Sequence, residues 1–365
     1  MRIAIIGTRG IPNYHGGFEQ FAEFFSVYLA NNNHDVFVYN SSTHPFQESN
    51  YKGVHIIHCS DPEDKIGSAG QFIYDFNCLI DARKRDFDII LQLGYTSSSI
   101  WCKLLPKKSI IVTNMDGLEW RRSKYSKPVQ HFLKYAERLA VKSSDYLVSD
   151  SLGIQSYIRK KHNVDSKYIA YGAELFNTPN IEIINKYGVE AGNYNMLIAR
   201  LEPENNIEII LDGVVLANEK RPFLVIGKHD TNKFGIYLKN KFKDSKHIHF
   251  VGGVYNLGHL NNLRYYSNLY FHGHSVGGTN PSLLEAMASK ALVVANENEF
   301  NKGILGENAL YFRTKEDVKF YVENTVKGNH FAKIENSFNE IETRFNWKTI
   351  NNEYLEFLNE CYKKN

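Results

Sequence analysis

The sequence predicts an α/β protein made of two Rossmann-like domains, and three observations carry that prediction. The chain has 365 residues, too long for one domain of ordinary size and natural for two. Short apolar, β-branched runs alternate with helical stretches in both halves, the pattern of a parallel sheet covered on both faces. Between residues 168 and 182 the pattern loosens around Gly172, Asn177, Pro179 and Asn180, which divides the series in two.

Taken in order, residues 3–6 form the first strand, and Gly7 closes it. A loop to Gly17 follows, containing Pro12 and the pair Gly16 and Gly17. Phe18, Phe21, Ala22, Phe25 and Leu29 then recur at helical spacing. Strands are expected at 36–39, 54–58, 89–93, 110–113 and 146–149, with a helix over 129–142 that is apolar at 129, 132, 133, 136, 139 and 140. The second series has strands at 195–199, 223–226, 247–251, 269–272 and 292–295. The expected domains are therefore 1–172 and 173–346, with a last helix over about 347–362 crossing back onto the first. Sheets of this kind bind ligands beyond the carboxyl ends of their strands.

Composition narrows the function. A hydrophobic fraction of 43% suffices for two cores. A net charge of +3 argues against a general nucleic-acid binder. Cys59, Cys78, Cys102 and Cys361 are scattered, with neither metal-ligand spacing nor a disulfide framework, which fits a reducing cytoplasmic setting. The opening apolar run is too short for a signal peptide, and no stretch approaches the roughly 18 apolar residues of a spanning helix. Any membrane contact is expected to be peripheral, at the inner face of the plasma membrane.

The most informative segment is Gly277-Gly278-Thr279-Asn280-Pro281-Ser282-Leu283-Leu284-Glu285-Ala286-Met287. A strand runs into paired glycines and then a helix. Asn280 suits the N-cap and Pro281 the first helical position. The backbone N–H groups and helix dipole then make an anion site, and the glycines let a phosphate come close. Glu285, one turn in, is placed to accept hydrogen bonds from sugar hydroxyls. The loop alone is equally a plain strand–turn–helix with a surface glutamate; the combination is what favours a site. A second segment, Asn195 to Asn206, ends a strand at Arg200, whose planar fork matches a diphosphate. In isolation that arginine reads as well as a salt-bridged surface residue.

Together these segments resemble the retaining GT-B glycosyltransferases of family 4. The resemblance covers nearly the whole chain and implies a GT-B fold, two Rossmann-like domains facing a central cleft. It implies a nucleotide-diphosphate sugar as donor, with Glu285 holding the ribose and Arg200 the diphosphate. The family's motif has a further glutamate eight positions before Glu285 and a lysine five after the arginine. Here those positions are Gly277 and Asn205, so one carboxylate and one cation are missing. More of the leaving-group stabilisation then falls to Arg200 and to the amides of Gly278, Thr279 and Asn280. Gly16 and Gly17 resemble the family's N-terminal glycine loop near the diphosphate, although a plain long turn explains them too. The G-x-G-x-x-G spacing of a dinucleotide site is absent.

After the strand at 110–113, Asp116 stands roughly where many family members carry a histidine near the reacting sugar. It is expected to position an acceptor hydroxyl or take its proton; an Asx turn is the other reading. The form Asp116-Gly117-Leu118-Glu119-Trp120-Arg121-Arg122 resembles bacterial polysaccharide enzymes, including capsule rhamnosyltransferases that use dTDP-L-rhamnose. Residues 101–142 hold ten Lys/Arg against three Asp/Glu. Trp120, Arg121, Arg122, Lys124, Lys134 and Arg138 are the expected contacts to a lipid-linked saccharide acceptor and an anionic membrane, although a basic stripe is commonly just a solvated face. Asp86-Phe87-Asp88 mimics a metal-binding D-x-D but precedes its strand, and His272 and His274 lack a third ligand at suitable spacing. No metal or other cofactor is expected. The reaction implied is retaining, with front-face attack and no enzyme nucleophile. A nucleotide-sugar epimerase and a noncatalytic nucleotide-sugar binder are the alternatives.

Overall fold

The computed structural model describes every residue except His15, Ser123, Lys124, Thr231 and Asn365. The chain forms two compact units. One comprises Met1–Trp120, Tyr125–Tyr171 and Trp347–Asn365; the other comprises Gly172–Asn346 with Arg121–Lys124.

The first unit contains β1 (Arg2–Ile6), α1 (Gly17–Asn31), β2 (Asp35–Ser41), β3 (Asn50–Tyr51), β4 (Val54–Cys59), α2 (Glu63–Ile66), α3 (Gly70–Ala82), β5 (Ile89–Leu93), β6 (Ile110–Asn114), α4 (Lys127–Ser143), β7 (Tyr146–Ser149), α5 (Leu152–His162) and β8 (Lys167–Tyr168). Its sheet has the order β3-β4-β2-β1-β5-β6-β7-β8. All pairs are parallel except the short β3 against β4. β5 and β6 are buried at every position, because helices cover both faces. Strand order reverses direction between β1 and β5, so the ligand crevice of this unit lies beyond Ile6 and Leu93. Asp86, Phe87 and Asp88 sit at the opposite edge. There the Asp88 carboxylate accepts from the Arg2 amide at 2.7 Å, and Phe87 is buried.

The second unit contains α6 (Glu182–Asn185), β9 (Asn195–Ile198), α7 (Ile207–Leu216), β10 (Phe223–Ile226), α8 (Lys233–Lys241), β11 (Ile248–Gly252), α9 (Leu257–Tyr266), β12 (Leu269–His272), α10 (Pro281–Ala288), β13 (Val293–Asn296), α11 (Glu299–Leu305), β14 (Leu310–Phe312), α12 (Lys315–Asn324) and α13 (Phe331–Thr343). Its sheet is parallel throughout, in the order β11-β10-β9-β12-β13-β14. The reversal here falls between β9 and β12. Leu197, Phe223, Val225, Leu269, Phe271 and Val294 pack with Ile210, Leu211 and Val318 into one apolar core.

The last helix, α14 (Trp347–Lys364), belongs to the first unit. An aromatic seam holds it there. Trp347 stacks on Phe24 at 4.6 Å, and Tyr354 meets Phe21 and Phe25 at 4.6 and 5.2 Å. The buried Tyr354 hydroxyl accepts a 2.9 Å hydrogen bond from the Asn114 carboxamide at the end of β6. Without that bond its polar tip would be a costly orphan in the core.

Candidate functional site

The second unit's crevice forms where β9 and β12, hydrogen-bonded neighbours, end side by side. Arg200 leaves β9 exposed to solvent and forms no ion pair with any described residue. Its backbone is held by Asn205, whose side-chain N–H donates to the Arg200 carbonyl at 2.7 Å. Asn205, which stands where the resemblance has a lysine, is among the expected donor-binding residues. Its carboxamide is buried, and the bond to the carbonyl fixes the backbone beside the exposed Arg200 side chain.

The turn carrying Asn205 packs directly on the loop after β12. A Cβ at Gly273 would lie 2.0 Å from the Asn205 carbonyl oxygen, so only glycine allows this approach. The Asn206 side chain donates to the Gly273 carbonyl at 2.8 Å, and the Ser275 hydroxyl donates to the Glu204 carbonyl at 2.7 Å. The Arg200 loop and the glycine loop are thus held together by two hydrogen bonds and a close backbone approach.

Gly277 adopts φ +137°, a conformation side chains disfavour, and open space surrounds the place of its absent Cβ. Gly278 is half-buried and Thr279 buried. Asn280 caps α10, its side-chain oxygen accepting from the Ser282 amide at 2.9 Å, with Pro281 at the first position. No acidic residue lies in the first turn of α10, so nothing within the helix neutralises its positive end.

Glu285 is not a free surface carboxylate. Its Oε2 accepts a 2.6 Å hydrogen bond from the wholly buried guanidinium of Arg264. Arg264 also donates to Ser282 Oγ and Asn261 Oδ1, each at 2.9 Å, and Tyr270 Oη lies 3.0 Å from Ser282 Oγ. Oε1 of Glu285 makes no hydrogen bond with a described residue, so one oxygen is anchored and one is open. Sequence reasoning missed Arg264. It lies 21 positions before Glu285, on another helix, in a segment that reads as an ordinary amphipathic face.

His272 and His274 stack at 4.4 Å with rings 17° apart. Burial pushes His272 well below the usual imidazole range. Burial, then the charges of Arg200 and Arg122, hold His274 down to about 3. Both rings are neutral at neutral pH. Among the described residues no group of three or more His, Cys, Asp or Glu is arranged to hold a metal ion.

In the first unit, Gly16 caps α1 in an extended conformation and Gly17 begins the helix. Here the helix end already has a negative complement. The buried Glu19 in the first turn accepts from the Arg9 amide at 2.9 Å, and Glu23 accepts from the Asn13 amide at 2.8 Å. A phosphate is therefore less favoured beside Gly16 and Gly17 than at α10. Asp116 follows β6 at φ +49°, and its amide donates to Asn114 Oδ1 at 2.9 Å. Asn114 thus makes an Asx turn that sets the backbone of Asp116.

The basic segment is divided between the two units. Arg121–Lys124 group with the second unit, where Arg121 lies 3.9 Å from Glu299. Trp120 stays in the first unit, its indole N–H donating to the buried Glu137 at 3.1 Å. Lys134 caps the Trp120 ring at 4.4 Å, and Glu137 also accepts from Tyr157 at 2.9 Å and His162 at 2.8 Å. Trp120 and Lys134, both half-buried, thus belong to a cluster around Glu137. Arg138 is exposed on α4, while Lys124 lies outside the described residues. No helix among the described residues is long and apolar enough to cross a membrane.

Comparison with known proteins adds the following. A family model described as "Domain of unknown function (DUF1972)" matches residues 1–174. No curated protein sequence matches significantly. Among solved structures, sucrose-phosphate synthase from Thermosynechococcus elongatus superposes with a TM-score of 0.82 at 13% identity, covering 100% of both chains. A glycosyltransferase from Rickettsia africae gives 0.72 at 14%, covering 100% of this chain and 98% of that one. Anabaena HepE in complex with UDP gives 0.76 at 16%, covering 99% of this chain and 100% of that one. The chain has the mixed α/β fold of GT-B glycosyltransferase structures, with two parallel-sheet Rossmann-like units.

Proposed function

We propose that this chain is a nucleotide-sugar-dependent glycosyltransferase. The observation that carries the reading is the β9/β12 switch point. An exposed, ion-pair-free Arg200 and the uncompensated amino end of α10 there share one crevice, with one open oxygen of Glu285 a turn beyond. A cation and helix amides suit the diphosphate, and a carboxylate oxygen suits vicinal ribose hydroxyls. The fold matches, one of them crystallised with UDP, support the same class.

In the reaction, the acceptor oxygen bonds to the anomeric carbon as the bond from that carbon to the phosphate oxygen breaks. Arg200 and the α10 amides stabilise the charge that develops on the departing diphosphate, which is the work a metal does elsewhere, so no metal is required. The leaving phosphate takes the acceptor proton from the front face, giving retention. Asp116 orients the acceptor hydroxyl. The donor is dTDP-L-rhamnose, and the acceptor is a lipid-linked saccharide of a surface polysaccharide, met at the cytoplasmic face of the membrane through Arg138 and its neighbours. The absence of charge at Gly277 and Asn205 supports a second reading, a noncatalytic nucleotide-sugar binder.

A panel of nucleotide sugars and nucleoside diphosphates, read by thermal shift and then by product analysis with saccharide acceptors, tests the proposal. Stabilisation by a nucleotide sugar with transfer to an acceptor is expected. Binding without transfer to any acceptor supports the second reading, and conversion of the donor sugar without transfer indicates an epimerase.

A further inference from the structure

Tyr270, His272 and His274 form a ladder of rings. Tyr270 and His272 lie 6.4 Å apart at 26°, and His272 and His274 lie 4.4 Å apart at 17°. Alternate residues of a strand share a face. Leu269 and Phe271 point into the core with Ile210 and Val318, so the ladder stands on the opposite face. That face meets α10, since Tyr270 Oη lies 3.0 Å from Ser282 Oγ in its first turn. The ladder therefore climbs past α10 to the carboxyl edge, where the crevice is.

The two histidines are unusual in their hydrogen bonding. Nδ1 and Nε2 of His272 and Nδ1 of His274 are buried without a hydrogen-bond partner among the described residues, and His272 is only 1% exposed. An unmet buried polar atom is costly, so a native site that keeps three is expected to gain partners on binding. His274 is also fixed in place. Its carbonyl accepts from the side chains of Asn298 and Asn301, each at 3.0 Å. Three residues further along the same loop, open space surrounds the place of the absent Cβ of Gly277.

The partner's chemistry follows from the ring. A phosphate seeks cations and amides, which Arg200 and α10 supply. A neutral imidazole offers one donor and one acceptor, which matches a hydroxyl. It also sits beside Arg200 without repelling it. We propose that His274, backed by His272, hydrogen-bonds a hydroxyl of the transferred sugar and so helps set which sugar the site accepts. The inference rests on the nucleotide-sugar reading above.

Titration calorimetry on the full chain tests it, using UDP, dTDP, UDP-glucose, UDP-galactose, UDP-N-acetylglucosamine and dTDP-L-rhamnose. The readout is the affinity ratio of the best nucleotide sugar to its own nucleoside diphosphate. In His274→Phe that ratio should fall about tenfold, or about 1.4 kcal/mol, while nucleoside diphosphate affinity stays within about twofold. Retained diphosphate binding also shows that the variant folds. If it does not fold, His274→Asn is judged by the same ratio, with a smaller drop expected because the amide keeps a donor and an acceptor. An unchanged ratio overturns the inference, as does an equal fall of both affinities, which would place the ring at the phosphates. Wild-type protein that binds diphosphates but no sugar nucleotide more tightly also overturns it, leaving the diphosphate site intact. Wild-type protein that binds neither class overturns the nucleotide-sugar reading itself.

Discussion

Removing Glu285 should cost stability before it costs any chemistry, and the size of the loss can be estimated from its surroundings. Arg264 is fully buried and makes three side-chain hydrogen bonds with described residues, of which Glu285 alone supplies an opposite charge. Glu285→Ala leaves a guanidinium in the core with two neutral partners. Breaking a buried ion pair from one side costs about 3–5 kcal/mol. The glutamate side chain is 18% exposed, which lets water relieve part of the penalty and points to the lower end, about 3 kcal/mol. For a cooperative unit of about 150–250 residues, each kcal/mol moves Tm by roughly 2–4 °C. Differential scanning calorimetry should therefore show the second unit melting about 6–12 °C early. Glu285→Gln keeps the hydrogen-bond acceptor and should lose about half as much. Arg264→Met combined with Glu285→Ala should be more stable than Glu285→Ala alone, because the stranded charge is gone. A Glu285→Ala variant melting within about 2 °C of wild type would refute this account of the pair. Activity of Glu285 variants must then be measured well below their own melting temperature, or an unfolding loss will be mistaken for a lost ribose contact.

Other perturbations separate binding from folding. Arg200→Ala should leave the apo melting temperature within about 1 °C, because an exposed side chain without an ion pair contributes little. It should weaken nucleoside diphosphate binding about 10–100-fold by calorimetry, the loss of charge-assisted hydrogen bonds. Gly273→Ala should drive the Asn205 turn away by steric clash and weaken the same binding without removing any ligand-contacting side chain; unchanged affinity would disprove the coupling of the two loops. Asp75 is held by burial up to about 7 from an ordinary 3.8, with Ser97 donating to it at 2.5 Å. The folded state thus keeps a proton that the unfolded chain releases from about pH 4, so stability falls as pH rises from about 4 to about 7. Asp75→Asn should gain on wild type across that range, by up to about 4 kcal/mol at 1.36 kcal/mol per pH unit; parallel denaturation curves at pH 5 and pH 8 would contradict it. Glu137→Ala strands Trp120, Tyr157 and His162 together and should destabilise the first unit by about 3 kcal/mol, read by urea denaturation and by a shift in tryptophan fluorescence.

Much of the fold was legible because its signals are local. The strands at Ile89–Leu93, Tyr146–Ser149, Phe223–Ile226 and Leu269–His272 stand where apolar β-branched and aromatic runs placed them. The α10 start followed from Asn280 and Pro281, whose capping roles depend on immediate neighbours. Weaker elements were not legible. β3, β8 and β14 are two or three residues long, too short for any periodicity, and exist because a neighbouring strand offers an edge.

The site divides along the same line. The sequence by itself determined which residues are available: a glycine loop leading into a capped helix, an arginine at a strand end, a glutamate one turn on and two alternating histidines. It could do so because these patterns span a dozen residues and follow from backbone geometry. Only tertiary structure decided what each side chain is free to do. It spent the Asn205 amide on Arg200, tied half of Glu285 to Arg264, bound Trp120 and Lys134 to Glu137, and left the histidine nitrogens without partners among the described residues. The physical reason is that a hydrogen bond or ion pair depends on ångströms in space, and its partners here lie up to 21 positions apart on different elements, where no local pattern in the chain records them.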